Sequence, residues 1–533
     1  MTASPPAPRD TVRFARHAAL WAQGRSLLQE GRLQAAHEVF AQVASEDPAN
    51  AAAQLQLALI LLRMGRVRDA HALALSVARL APTTPDLVVP LARLLRDFEE
   101  TPGLLRLAGS GAWRGWDSAD AVFALARTLS TAGLNEQAMA LIAMAERLDP
   151  RHVQTIYLRA ATAMFQGREH DARQGFERCL ELAPGLAQAH WMLSVLDKRV
   201  GCAESIDRLR VQLDGAPSAR ERAYLGYALH NRLHTLARYD EAWDAIETAW
   251  KAKREVLPYD RGRQARLFAS LTQAFDGPLP RPPASGVAGT HARCIFIVGL
   301  HRSGTSLLER MLGGHSAVTE GGESYAFATS LKLAADYASR ELLDEELVRR
   351  AAQLDPAAVG ERFRHLMDHR AGGRAYVTEK LPGNFLHLGY ILRAVPDAIV
   401  LHMVRDRVDT CFSNLRTYFD EAAPYACDQR DMADYYHRYR ALMRHWHGVA
   451  PGRILDVDYA GLVADPRAAI GRVLEFCGMA FEPDVLQVER AGGSVSTASM
   501  MDARLGIRTD RHRAWQPYEK HLAPLFAGLA GGD

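Results

Sequence analysis

The strongest constraint on this chain is a repeated phase. Gly31, Gly65, Gly133 and Gly167 are separated by 34, 68 and 34 residues, and Pro48, Pro82, Pro150 and Pro184 by the same intervals. Two residue types holding one phase over this span define a repeat unit. Each glycine opens the same pattern, from Gly31 to Ala36, Gly65 to Ala70, Gly133 to Ala138 and Gly167 to Ala172. The glycine turns the chain between two helices, the small Ala lets the second helix pack closely, and the Pro starts the next unit. A middle unit at about 85–118 keeps the phase but lacks both markers. Gly201 lies 34 after Gly167, and Ala242 lies 70 after Ala172, which is two units plus two residues. The pattern predicts an all-α, right-handed solenoid over about residues 15–255.

This unit resembles the tetratricopeptide repeat. The resemblance implies a concave groove that takes a peptide or protein partner. Alternatively, the array serves only to form a homodimer or to prop up a second domain.

A connector ends the array. Residues 256–290 continue as a helical end and then a Pro-rich linker, with Pro278, Pro280, Pro282 and Pro283 within six positions. A second domain is expected at 291–525. It opens with an apolar run from Cys294 to Gly299, a loop His301-Arg-Ser-Gly-Thr-Ser306 and an apolar pattern at helical spacing. Strand, glycine loop and helix N-terminus form an anion cradle, because loop amides and the positive helix end converge on one point. Gly299, Gly304 and Ser306 have nearly the spacing of the nucleotide-binding loop G-x-x-x-x-G-K-S/T, but Thr305 replaces its Lys. That argues against a nucleoside triphosphate and for a ligand with one phosphate and one further anionic group, met by Arg302. A plain strand-to-helix turn of an α/β protein remains the alternative on the loop alone.

Further strands are expected at 375–378, 398–404 and 453–457, alternating with helices at 304–314, 385–394, 407–418, 431–447 and 466–477. The alternation predicts a parallel sheet with helices on both faces, which binds ligands at the carboxyl ends of its strands. Polar residues do come directly after the strands: Arg302 to Thr305, then Lys380, Arg405 and Tyr459. The aromatic and basic stripe from Tyr435 to Trp446 reads as core plus solvated face, and His402 as a buried strand residue.

Together these residues resemble a P-loop-like sulfotransferase of the branch that includes the protein-tyrosine sulfotransferases, over about residues 293–520. Residues 301–306 are similar to the family's 5′-phosphosulfate loop, usually P-R-S-G-T-S/T. Met403 to Ser413 is similar to its 3′-phosphate motif, an Arg at a strand end with a Ser eight residues on. The resemblance implies 3′-phosphoadenosine 5′-phosphosulfate (PAPS) as sulfuryl donor, 3′-phosphoadenosine 5′-phosphate (PAP) as product, and no metal. Ser303, Gly304, Thr305 and Ser306 would hold the 5′-phosphate, Arg405 and Ser413 the 3′-phosphate, and Tyr459 would lie near the phosphates. Arg302 and Lys380 would meet the bridging and sulfuryl oxygens. Glu323 would be the base, with Glu320 as its rival, and Ser499 would contact the sulfuryl group. Four departures from the family pattern stand out: His301 for Pro, Ser316 for Pro, Ala514 before Trp515, and Asp502 for Gln. The last two put the late cofactor contacts and the acceptor loop in doubt.

The acceptor is expected to be a hydroxyl, with a protein tyrosine delivered by the array as the first choice. A small molecule, lipid or sugar is a second, a repeat scaffold with an inactive domain a third, and a P-loop kinase a fourth. Lys+Arg 64 against Asp+Glu 62 leaves no field favouring nucleic acid. No apolar run approaches the length of a membrane span. The N-terminus lacks the apolar core of a signal peptide, and six scattered cysteines without C-x-x-C fit a reducing compartment. A cytoplasmic location is therefore expected. A repeat array ahead of such a domain resembles known bacterial proteins.

Overall fold

The computed structural model describes residues 8–196, 203–279, 291–489 and 513–531. It divides into two compact units, Met1–Asp149 with Ala328–Leu342, and Pro150–Phe327 with Leu343–Asp533.

The first unit is a succession of antiparallel helices. Leu33–Glu46 pairs with Ala51–Arg63, and Val67–Arg79 with Pro85–Asp97, through to Ala119–Thr131 and Asn135–Leu148. The phase seen in the sequence is a phase of backbone shape. Gly31, Gly65, Gly133 and Gly167 all have φ between +75° and +79°, the left-handed region in which glycine lacks the Cβ clash. Ala36, Ala70, Ala138, Ala172 and Ala242 are fully buried, which fits close helix packing. The degenerate unit is a real helix pair, Pro85–Asp97 and Thr101–Gly109. Its turn residue is Glu99, at φ +58°, and Ala237 at φ +55° takes the same place in a later unit. These two turns escape a search for glycine because the fold forces ordinary residues into the left-handed region. Trp113 and Trp116 complete the short unit, their indole N–H groups donating to Ala108 O and Thr83 O at 2.9 Å.

The second unit holds the later array helices, among them Ala219–Thr235 and Tyr239–Val256, and an α/β domain. Among the described residues it has five strands, β1 (Arg293–Gly299), β2 (Val318–Thr319), β3 (Tyr376–Glu379), β4 (Ile399–Val404) and β5 (Ile454–Asp458). Their order is β2-β3-β1-β4-β5, and every neighbouring pair is parallel. Central β1 is buried on both faces. Ile295 and Ile297 pack with Leu308, Met311 and Leu401 on one side. Phe296 stacks on Phe363 on the other. β2 has two residues, too few to show a period, and the sequence does not reveal it. The helix expected at 407–418 ends at Leu415, and the one expected at 385–394 begins as the 3-10 turn Pro382–His387.

Tyr435, Tyr439 and Trp446 are core residues of the Gln429–Val449 helix. His402 is buried on β4. One of its ring nitrogens lies 2.7 Å from Asp456 Oδ1, which also meets His447 Nε2 at 2.9 Å, and the other ring nitrogen meets the Tyr439 hydroxyl. Among the described residues no helix is long and apolar enough to cross a membrane.

Candidate active site

All five strands point their carboxyl ends to one rim, and the chemically useful side chains sit on it. β1 runs into the loop Leu300–Gly304 and then the Thr305–Gly313 helix. Gly299 has φ +154° and Gly304 φ +111°, and Arg302 is itself left-handed at +67°. Gly299 is confined by Met403 O, 2.9 Å from where a Cβ would stand, and Gly304 by the Tyr459 ring at 2.5 Å. Left-handed residues such as Arg302 and Gly304 occur in loops whose amides form an anion nest. Ser303 and Thr305 are buried, and Ser303 Oγ has no hydrogen-bond partner among the described residues. A buried hydroxyl left unpaired costs free energy, so it marks a place for an acceptor.

The loop is tied to the end of β4. Arg405 Nη1 donates to Arg302 O at 3.2 Å, and its guanidinium lies 4.6 Å from the Tyr459 ring centroid. Arg302 Nε donates to Ser413 Oγ at 3.2 Å. Asn414 Nδ2 donates to His301 O at 2.7 Å. Arg302, Ser303, Gly304, Arg405, Ser413 and Tyr459, expected from separate stretches, are therefore linked into one cluster. Ser306 lies one residue inside the helix that the loop opens.

The second cluster lies at the ends of β2 and β3. Lys380 is fully buried, and its Nζ reaches Glu323 Oε1 at 2.8 Å and Glu309 Oε2 at 3.8 Å. Glu323 is more open, its side chain 36% exposed. Glu320 is directed elsewhere: it packs beneath Gly313, and its carboxylate faces Arg310 Nη1 at 3.9 Å. The geometry thus separates the two carboxylates that are rivals in the sequence. Ser499 and Asp502 lie outside the described residues. Ala514 and Trp515 are described, with Trp515 against Phe526.

Sequence reasoning missed the support beneath Lys380. Glu309 Oε1 accepts from Gly322 N at 2.9 Å and from Thr378 Oγ1 at 2.8 Å, and Thr378 Oγ1 in turn accepts from Gly321 N at 3.0 Å. Burial pushes the Glu309 carboxyl up. A charged residue on the apolar face of the helix after the loop was the available signal. His301 was also undervalued: burial pushes it down to about 4, so a neutral ring sits beside Tyr425 Oη at 3.1 Å.

The rim of this α/β domain thus sets the loop after β1 against Arg405 and Ser413, and Lys380 against a carboxylate. Residues 294–483 match the sulfotransferase family, and residues 27–93 match the tetratricopeptide repeat. The two matches follow one another along the chain, the repeat first and the sulfotransferase match second. An uncharacterized protein of Aquifex aeolicus (strain VF5) is 31% identical over 339 residues, covering 62% of this chain and 44% of that protein, so the chain spans less than half its length. Among solved structures, the sulfotransferase domain of the Synechococcus PCC 7002 olefin synthase is 19% identical. It covers 46% of this chain and 98% of that one, with a TM-score of 0.30. The sulfotransferase STF9 of Mycobacterium avium is 14% identical, covering 62% and 95%, with a TM-score of 0.28.

Proposed function

We propose that this protein is a PAPS-dependent sulfotransferase that moves a sulfuryl group to an acceptor hydroxyl. The observation that carries the reading is the clamp of Arg302, Ser413 and Arg405 around a loop whose Ser303 hydroxyl has no partner among the described residues. These residues fit a donor with two separated phosphates. Loop amides, Ser303, Thr305 and Ser306 suit a 5′-phosphate, and the planar fork of Arg405 with Ser413 suits a 3′-phosphate. When bound, PAPS supplies a sulfuryl group already joined to a good phosphate leaving group.

The chain's own residues then have defined tasks. Sulfuryl transfer, like phosphoryl transfer, gathers charge on the leaving oxygen and on the transferred group, so fixed cations lower the barrier most. Lys380 and Arg302 are those cations. Glu323 would take the proton of the acceptor hydroxyl, and bound PAPS would supply the sulfuryl group and the phosphate that departs with the bonding pair. Ser499 is assigned to the sulfuryl oxygens. The first acceptor to test is a protein tyrosine, with the array recruiting the peptide; a small-molecule, lipid or carbohydrate hydroxyl is the alternative.

Calorimetry with PAP in the absence of metal tests the reading. Wild type should bind, and Arg405→Ala should bind more than about tenfold more weakly, since a charge-assisted bidentate contact contributes roughly 1.5–3 kcal/mol. No binding of PAP, with ATP and magnesium binding instead, overturns it in favour of a kinase.

A further inference from the structure

We propose that the array helices Ala219–Thr235 and Tyr239–Val256 are part of the nucleotide site, positioning Ser413 through the C-terminal end of the Arg407–Leu415 helix. This rests on the sulfotransferase reading and deepens it.

The last carbonyls of a helix have no partner within it. Here the array provides partners. The indole N–H of Trp250 donates to Leu415 O at 2.9 Å, and the Lys253 ammonium donates to Phe419 O just beyond. Arg416, the residue that caps this helix, donates from Nε to His230 Nε2 at 3.0 Å. His230 Nδ1 lies 2.8 Å from Ala242 O, so that nitrogen carries the proton and Nε2 is the acceptor. His230, Trp250 and Lys253 are all buried. An N–H donor and a cation at a helix C-terminus complement its negative end.

Next to these contacts, on the same helix, stand the residues that touch the anion loop. Ser413 Oγ accepts from Arg302, and Asn414 donates to His301 O. The other end of the helix is fixed by Asp406, whose side chain accepts from Val408 N and Asp409 N at 2.9 Å. The nine-residue helix is thus tied at both ends. The two array helices are packed closely on each other: Gly226 lets them approach until an added Cβ would stand 2.8 Å from Ala249 Cβ. The place of the Ser413 hydroxyl is thereby set from the repeat side. An array that only recruited a partner would leave the nucleotide site indifferent to these contacts.

The test uses the full chain, Trp250→Phe and Arg416→Lys, and two ligands, PAP and 5′-AMP, which lacks the 3′-phosphate. Calorimetry gives the PAP-to-AMP affinity ratio, and thermal unfolding checks that each variant is folded. The expected result is a ratio reduced about fivefold to tenfold in both variants, with AMP affinity unchanged, as one lost hydrogen bond to a buried group predicts. A folded variant that keeps the wild-type ratio, or loses both ligands equally, overturns this inference alone. Wild type that binds neither ligand removes the sulfotransferase reading and this inference together.

Discussion

The ring of Tyr459 fills the space that a side chain on Gly304 would need. An added Cβ would stand 2.5 Å from its Cδ2 and 2.9 Å from its Cε2, and Gly304 has φ +111°. Gly304→Ala must displace Tyr459, and with it the Arg405 guanidinium that lies over the ring, or reshape the loop. We expect PAP affinity to fall at least about tenfold and stability to fall by about 1–3 kcal/mol, read by calorimetry and urea unfolding. Unchanged affinity would show that the anion binds elsewhere.

Glu323→Gln keeps the shape of the side chain and removes the proposed base. Transfer from radiolabelled PAPS to a tyrosine peptide should slow by about 10²–10⁴-fold, the usual contribution of a positioned base, while PAP still binds. Glu320→Gln should affect the rate far less, because Glu320 faces Arg310 beneath Gly313. Equal loss in both variants would reopen the choice of base.

Ala237 is held at φ +55° at a position where four other repeat units place glycine. Left-handed backbone costs a residue with a Cβ roughly 1–2 kcal/mol, partly offset by the greater freedom of glycine when unfolded. Ala237→Gly should therefore stabilise the protein by about 0.5–1 kcal/mol in chemical unfolding. A destabilised variant would mean that the Ala237 methyl contributes more by packing than the turn costs in strain.

Burial lowers His301 from 6.5 to about 4. Below about 6.5 the unfolded chain takes up a proton that the folded chain refuses, so this contribution is fully present above that pH. It is lost as pH falls toward about 4. Burial raises Glu309, which acts in the opposite sense. Comparing unfolding free energies of wild type and His301→Gln from about pH 7 to about pH 4 isolates the histidine. The difference between them should shrink as pH falls, and a constant difference would contradict the assignment.

Much of the fold and of the candidate site was legible because it obeys local rules. The strand, loop and helix around Arg302 are contiguous, and Lys380, Arg405 and Tyr459 each come after an apolar run. Glycine at a left-handed turn leaves a mark every 34 residues. Where that rule is satisfied by strain, as at Glu99 and Ala237, the mark is missing and the unit reads as degenerate. β2 was invisible because two residues carry no period.

The sequence by itself determined the repeat phase, the parallel sheet and the set of polar residues at its carboxyl rim, since turn chemistry and periodicity act over a few residues. Only the tertiary structure decided which of those residues meet. It directed Glu323 to Lys380 and Glu320 to Arg310, buried Glu309 beneath both loops, and set Trp250 and His230 at the end of the helix that carries Ser413. Several of those pairings join positions far apart in the chain, as His230 and Arg416 are. They are fixed by burial, which requires each enclosed donor, acceptor and charge to find its partner in the packed interior and nowhere along the chain.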